Sequence, residues 1–397
     1  MQDHKKPVSV RLSTIKDWQK LHILKFLIAS TIATLFALGC TTQIEADTIL
    51  TEESEQADFS VKEVVKGLDH PWALAFLPDG DILITERSGQ LRIVKNGELV
   101  PDPVQGLPDI YASGQGGLLD IALHPAFSDN QLLYLSYSAR DKTVAGTEIA
   151  RAKIVNGALQ EVQTIFSVEP KTSGRNHYGS RFAFAQDGTL LITIGDRYSF
   201  MQEAQNPSNH LGSIIRIRDD GSIPKDNPFI NDPNARPEVF SYGHRNPQGL
   251  TIRPDKNQVW SHEHGPRGGD EVNIIRAGAN YGWPAITYGI DYGGAIISEF
   301  TEAPGMEQPV VYWDPSIAPS GMTFYTGSVF TEWQGDLFIG ALKATHLRRL
   351  ELEGDKVTGQ EVLLKNLGER IRDVRQGPDG FLYVLTDSAK PNGRLLR

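Results

Sequence analysis

One pattern recurs six times along this chain: a short apolar strand, a tight turn built on Asp, and a second apolar strand. The copies fall at 72–85, 120–136, 182–194, 250–260, 333–339 (the weakest) and 374–385, with turns at Asp79-Gly80, Asp129-Asn130, Asp187-Gly188, Asp255, Asp336 and Asp379-Gly380. Asp followed by Gly or Asn between apolar runs is a hairpin signal, because these residues adopt the backbone angles that a reversing strand pair needs. Six hairpin units predict an all-β chain, a six-bladed β-propeller of four-stranded antiparallel sheets. A pair of β-sandwiches has turns at similar spacing but gives no reason for one turn to be repeated. Setting aside residues 1–39, the remaining 358 residues give about 60 per blade, against ~40–45 in a compact blade. The surplus belongs in loops, where a rigid scaffold usually carries its function.

The amino end reads as an address. Residues 1–25 hold six Lys or Arg against two Asp, and an apolar run from Phe26 to Gly39 ends at Cys40, the only cysteine. That run is shorter than the ~20 residues of a membrane span but suits the core of a signal peptide. Leu38-Gly39-Cys40-Thr41-Thr42 resembles a bacterial lipobox, with Ala37 where leucine is usual, so Cys40 is the expected lipidation site. Cleavage by an ordinary signal peptidase and an uncleaved anchor are the alternatives. The expected organisation is a lipoprotein-type signal peptide over 1–39, a polar, acidic tether over 40–58 and a propeller over 59–397. Such a chain faces the periplasm as a lipoprotein anchored in the membrane. Thr41, where an aspartate would signal inner-membrane retention, points to the outer membrane.

Loss of residues 1–39 removes six basic and two acidic residues, so the net charge of −10 becomes −14. A surface that acidic argues against nucleic acid as a partner. A single cysteine forms no intramolecular disulfide, so stability in an oxidising compartment must come from the core.

The densest polar cluster is Tyr242-Gly243-His244-Arg245-Asn246-Pro247-Gln248-Gly249-Leu250. Glycine and proline restrict its backbone, so a guanidinium fork and two amides are held toward something fixed. Further polar residues sit between the strand pairs: Gln115, Asn176-His177, His262-Glu263-His264-Gly265-Pro266, Tyr292, Ser316, Lys343, Arg370 and Arg372. In a propeller such loops converge on the axis. Arg245, Lys343, Arg370 and Arg372 would then bring four positive charges together, a costly arrangement unless an anion neutralises them. A small polycarboxylate, with or without a divalent cation, answers that need. Gly114-Gln115-Gly116-Gly117 matches no nucleotide-binding fingerprint and no Gly-x-Ser-x-Gly elbow stands out, so any chemistry comes from a cofactor or metal.

With these motifs together, the chain resembles the soluble pyrroloquinoline-quinone (PQQ) dependent sugar dehydrogenases, in their aldose sugar dehydrogenase branch, from about Val61 to Arg397. The resemblance rests on Gly114 to Leu119, Asn176-His177, Thr193 to Asp196, Gly243 to Gln248, Glu263 to Pro266, Gly269 to Asn273, Asn280 to Pro284, Ala341 to Lys343 and Arg370 to Asp373. It implies PQQ held by Gln115, Arg245, Asn246, Tyr292, Ser316, Lys343, Arg370 and Arg372. It implies Ca²⁺ on the carbonyls of Gly265 and Pro266, and a second Ca²⁺ at Glu271 and the carbonyl of Tyr281. His177 is carried over as general base for oxidation of an aldose sugar at C1 to a lactone, and Arg245 as the group that stabilises charge on the quinone oxygen. Asn176 stands where the glucose-dehydrogenase branch carries an aspartate beside that base, and a neutral amide orients an imidazole more weakly. No Cys-x-x-Cys-His haem attachment is present, so electrons would pass to an external acceptor.

Each motif alone has a plainer reading. A histidine before a strand is commonly structural, Arg370 and Arg372 on one strand face can form a surface salt bridge worth under about 1 kcal/mol, and Gly269-Asp270-Glu271 can be a solvated loop. His262 and His264 alternate along one strand face and could make a transition-metal pair. Two competing functions stay open: a non-catalytic propeller lipoprotein that binds carbohydrate or protein, and a metal-dependent propeller lactonase. The lactonase needs carboxylates at the axis, where this chain places Arg and Lys.

Overall fold

In the computed structural model, which describes residues 47–388 and 391–397, five of the six expected hairpins are found in antiparallel blades; at the weakest copy, 333–339, Thr331–Trp333 is a 3₁₀ turn and Leu337–Ala341 pairs instead with Pro319–Phe324. From the axis outward, blade 1 is Pro71–Phe76, Ile82–Glu86, Gln90–Lys95 and Glu98–Leu99. Blade 2 is Leu118–Leu123, Leu132–Asp141, Val144–Val155 and Ala158–Ser167, and blade 3 is Phe182–Phe184, Leu190–Ile194, Ser213–Ile217 and Val239–Tyr242. Blade 4 is Pro247–Arg253, Gln258–Glu263, Asp270–Ile275 and Val311–Trp313. Blade 5 follows as Pro319–Phe324, Leu337–Ala341, His346–Glu353 and Lys356–Leu363.

The sixth blade closes the ring. Arg370–Gln376, Leu382–Asp387 and Gly393–Leu396 come from the carboxyl end, and Phe59–Leu68 from the amino end completes the sheet, with Glu63 opposite Leu396 and Leu68 opposite Gly393. Closure of this kind pairs the first and last parts of the propeller and locks the ring, leaving each blade only its outer edge. A fifth strand, Thr48–Glu52, lies outside it, with Leu50 opposite Val61 and Glu52 opposite Phe59. Within the expected tether over 40–58, the part described from residue 47 on is packed rather than free: Leu50 packs against the core between blades 5 and 6, and Glu52 accepts a 2.9 Å hydrogen bond from the Leu364 amide. Cys40 and the leader over 1–39 lie outside the described residues.

The turns explain the repeat. In three blades Gly80, Gly188 and Gly380 take φ of +93°, +79° and +80°, and the preceding aspartate accepts from an amide two residues ahead, as in Asp187 Oδ1 with the Thr189 amide at 3.0 Å. Asp caps the turn and Gly supplies the left-handed angle, so neither residue is interchangeable with a bulky one.

Apolar side chains pack between neighbouring blades, as where Leu83 and Leu118 meet between blades 1 and 2, or Trp260 and Leu337 between blades 4 and 5. The axis itself is charged. Arg181 Nη1 stands 3.2 Å from both Asp120 and Asp373, Arg375 reaches the same two carboxylates at 2.8 and 2.9 Å, and the Arg181 guanidinium lies 3.9 Å from the centre of the Trp72 ring. Arg181 Nε donates to the Gln248 carbonyl at 3.0 Å. One buried guanidinium therefore ties blades 1, 2, 3, 4 and 6 together, and each of these charges is paired, as burial requires.

The surplus length collects in the loops of blades 3 and 4, and the longest of them lies in blade 4. After Ile275 the chain climbs the blade 3 edge, where the amides of Tyr281 and Trp283 donate to the carbonyls of Tyr242 and Gly243. It arrives beside the Gly265–Gly269 loop, where the Arg267 amide donates to Ile290, and returns down to Val310, whose amide donates to Val272.

Candidate active site at the propeller axis

Connections between blades, and turns between second and third strands, meet at one end of the axis around a cavity of about 410 Å³. This volume lies in the range of about 300–1,000 Å³ usual for small-molecule sites. Its wall includes Gln115, Asn246, Gln248, Arg370 and Arg372, all expected from the sequence, together with His70, Trp72, Arg87, Tyr178, His264 and Asp387.

His177 adjoins this wall. Its amide donates to Gln115 Oε1 at 2.7 Å, and the next turn is tied to the wall by the Gly179 amide on Asn246 Oδ1 at 3.2 Å. The residue is buried and has φ of +53°, an angle a β-carbon disfavours, so the surroundings must enforce it. Arg197 does part of this: its guanidinium donates to the carbonyls of Asn176 and Gly174 and lies 3.5 Å from the Tyr178 ring centre. Gly195 does the rest, since a Cβ there would sit 2.4 Å from the His177 carbonyl oxygen.

The imidazole is oriented by a carboxylate that sequence reasoning did not assign. His177 Nδ1 stands 2.7 Å from Asp196 Oδ1, and Asp196 also accepts from the Tyr198 amide at 2.7 Å and from Trp283 Nε1 at 2.8 Å. Trp283 comes from the blade 4 insertion, so that long loop helps build the site. Asp196 thus takes the part for which Asn176 was too weak. Burial holds the His177 imidazole below its ordinary 6.5, against the pull of the Asp196 hydrogen bond and with help from the Arg245 charge. A neutral ring with Nδ1–H on Asp196 leaves Nε2 as the free, basic nitrogen.

The cationic set is only partly as expected. Arg370 and Arg372 share the wall, but Asp387 already lies 3.2 and 3.5 Å from them and 2.7 Å from His70 Nδ1. Burial alone would raise the Asp387 carboxyl; Arg372, His70 and Arg370 instead draw it down to about 2. Burial pushes the Arg372 guanidinium down to about 10 despite Asp387, with Arg370, Arg181 and Arg87 adding repulsion. The wall therefore retains a positive excess. Lys343 is exposed and outside that wall, and its amide donates to the Ile317 carbonyl.

Arg245 stands behind His264. Its Nη1 donates to the carbonyls of His264 and Gly265, both at 2.9 Å, and its guanidinium lies 5.3 and 5.9 Å from the ring centres of Trp283 and Tyr292. Tyr292 is exposed. Ser316 differs from expectation: its hydroxyl lies 2.9 and 2.8 Å from the two oxygens of buried Asp270, which also accepts from the amides of Gly265, Ile317 and Ala318. That commits Ser316 to anchoring a loop, and Asp270 belongs to the scaffold rather than to a solvated turn.

His262 and His264 are both held neutral, with burial and mutual repulsion lowering the first and burial drawing the second down to about 3. His264 Nε2 meets the Pro319 carbonyl at 2.6 Å. Among the described residues no three His, Cys, Asp or Glu side chains cluster at metal-binding distance. For a hard cation, the relevant pair is Glu263 and Glu271, directly opposed across two strands of blade 4. Glu263 is engaged by His244 Nδ1 at 2.9 Å and by the Arg245 amide. Glu271 is pushed up to about 8 by burial and by the Glu263 charge beside it. Tyr281 borders the same small void.

Fold and site together define a six-bladed propeller with an anion-receiving axial cavity and a carboxylate-held imidazole beside it. Within that class the chain belongs to the glucose/sorbosone dehydrogenase family, whose model matches residues 68–397. The aldose sugar dehydrogenase YliI of Escherichia coli is 46% identical over 347 residues, covering 86% of this chain and 93% of that one. The apo crystal structure of the soluble aldose sugar dehydrogenase from Escherichia coli superposes with a TM-score of 0.82 at 46% identity, covering 85% of this chain and 98% of that one. The PQQ-bound aldose sugar dehydrogenase of Streptomyces coelicolor gives 0.70 at 29% identity, with 85% and 97% covered.

Proposed function

We propose that this chain is a quinoprotein that oxidises aldose sugars at C1 to lactones and passes the electrons to an external acceptor. The observation that carries the reading is His177, locked by Asp196 beside a cavity walled by Arg370, Arg372, Gln115 and Asn246. The donor set fits PQQ: guanidinium forks match carboxylates and amides match quinone oxygens. The PQQ-bound relative supports the same choice. Arg370, Arg372, Gln115 and Asn246 would hold the cofactor, with Arg245, Tyr292 and Lys343 at its margin. When bound, PQQ supplies the two-electron acceptor that the protein lacks.

The protein's own part is proton transfer and positioning. His177 Nε2 takes the C1 hydroxyl proton, and Asp196 steadies the imidazolium that results. Trp283 and the Tyr198 amide hold the Asp196 carboxylate in turn. Oxidation of the C1 carbon of a cyclic sugar leaves a lactone. Calcium fits two places: the Gly265 and Pro266 carbonyls in the loop after His264, and the opposed carboxylates of Glu263 and Glu271 with the Tyr281 carbonyl, where a dication would remove the repulsion between two acids. The amino-terminal sequence supports a lipid anchor at Cys40 and a periplasmic address.

The test is titration of the protein with PQQ, followed by absorbance, and turnover of aldoses with a dye. His177→Ala should still bind PQQ but not turn over, and Arg372→Ala should bind it more weakly. Normal turnover by His177→Ala contradicts the base, and an unchanged titration with Arg372→Ala contradicts the pocket.

A further inference from the structure

The blade 4 insertion does more than deliver Trp283 to the site. Past Tyr288 it forms a hairpin whose closing bonds run from the Asp291 amide to Ala295 and from the Thr287 amide to Phe300. Its side chains are unusual for a surface. Ile296 and Phe300 are 62% and 66% exposed, more than any other large apolar residue among those described, and Ile290, Tyr292 and Tyr312 are exposed close by. Tyr312 stacks on Tyr288 with ring centres 3.9 Å apart, which stiffens the base of the hairpin. A rigid projecting apolar tip gains nothing for the fold by itself and marks an interaction surface.

Its charge is one-sided. From Ala277 to Leu342 the sequence has no Lys, Arg or His, but Asp291, Glu299, Glu302 and Glu307 fall in or beside the hairpin. Only Glu307 of these four has an ion-pair partner among the described residues, Arg276. The position matters as much as the composition. Tyr292 of the hairpin lies 5.9 Å from Arg245, and the Arg267 amide ties Ile290 to the loop that carries Gly265. The acid-ringed apolar tip is therefore anchored on the loop that follows His264, a residue of the cavity wall.

We propose that this hairpin is the docking surface for a small, basic redox protein that collects the electrons taken from the sugar, an inference that rests on the quinoprotein reading above. Transient electron-transfer partners bury small interfaces, under about 1,200 Å², and use charge for fast, oriented encounter rather than for affinity. An apolar centre with an acidic rim fits a partner with an apolar patch inside a lysine ring. The same acidic rim repels an anionic membrane surface. Each aldose oxidised to lactone releases two electrons and two protons, so two ferric haems are reduced per sugar and the protons pass to water.

The experiment compares two acceptors on the loaded protein: a small neutral dye and a basic monohaem cytochrome c. Glu299→Lys with Glu302→Lys, and separately Ile296→Ser with Phe300→Ser, should lower kcat/KM for the cytochrome by about tenfold or more, the scale of steered association. Dye turnover should stay unchanged, and added salt should slow only the cytochrome reaction. A cytochrome rate in both variants equal to that of the wild type, or a loss shared by dye and cytochrome, overturns the docking surface. Failure of dye turnover in the wild type would instead overturn the quinoprotein reading. In that event binding of the cytochrome at low ionic strength, followed by shifts in its haem NMR signals, reads the surface directly. Binding that survives charge reversal refutes it.

Discussion

Replacing Asp196 by Asn is the most discriminating change available in the site. The carboxylate accepts from His177 Nδ1, the Tyr198 amide and Trp283 Nε1 at once. An amide of the same shape has one accepting oxygen, and its NH₂ can only donate. If that oxygen stays with Trp283, the NH₂ takes the place of Oδ1, faces both Nδ1 and the Tyr198 amide, and forces the imidazole proton onto Nε2, the nitrogen that must be free to act as base. Even with the oxygen on Nδ1–H, the neutral amide no longer steadies the imidazolium. A misoriented or wrong-tautomer base loses about 10²–10⁴-fold in rate, equivalent to about 3–5 kcal/mol of transition-state stabilisation. The assay is dye-linked aldose oxidation over a range of sugar concentrations, with PQQ affinity measured in parallel. The loss should fall in kcat, with PQQ affinity unchanged, because Asp196 is absent from the cavity wall. Wild-type kcat in Asp196→Asn, or a loss confined to cofactor binding, would refute the dyad.

Three further outcomes follow from the same structure. Because burial lowers the His177 pKa and the neutral ring is the active form, activity should persist as pH falls through 6.5, so the acid limb of kcat/KM should lie below that value; a limb above it counts against His177 as the base. Calcium should raise the melting temperature of the wild type over its value in EDTA, and Glu271→Gln should lose that response; an undiminished calcium shift in the variant places the ion elsewhere. Asp120→Asn should destabilise the ring by about 3–5 kcal/mol, since it leaves the buried Arg181 and the half-buried Arg375 under-paired; in urea unfolding, a change below about 1 kcal/mol would show that the axial ion cluster is dispensable.

What was legible in the sequence was local. The Asp-Gly turns announce themselves because one residue caps and the next takes a positive φ, and from them the hairpins and the blade count follow. Pairings between distant segments were not legible. Phe59–Leu68 finds its partner at the opposite end of the chain, and nothing in either segment specifies that register. Thr48–Glu52 is short and polar, so it read as tether, although Val61 and Phe59 recruit it as a strand. The same division holds in the site. Gln115, Asn246, Arg370 and Arg372 stand out as polar residues between apolar strands, but the His177–Asp196 pair depends on a left-handed backbone at His177 that no residue type signals. The expectation that four converging cations need an outside anion underweighted Asp387, which lies on the strand beside Arg370 and neutralises part of that charge. Ser316 looked like a ligand because a hydroxyl in a loop is chemically ambiguous until its partner, here Asp270, is seen.

The central claim is that the cavity holds PQQ and that His177 works on a sugar beside it. The most direct measurement is dye-linked oxidation of aldoses by the purified protein before and after addition of PQQ with Ca²⁺. The account predicts turnover that appears only after both are added, with absorbance showing the cofactor bound. A protein that binds no PQQ and oxidises no aldose under these conditions would contradict it, and the propeller would then be a binding module that retains the form of the site.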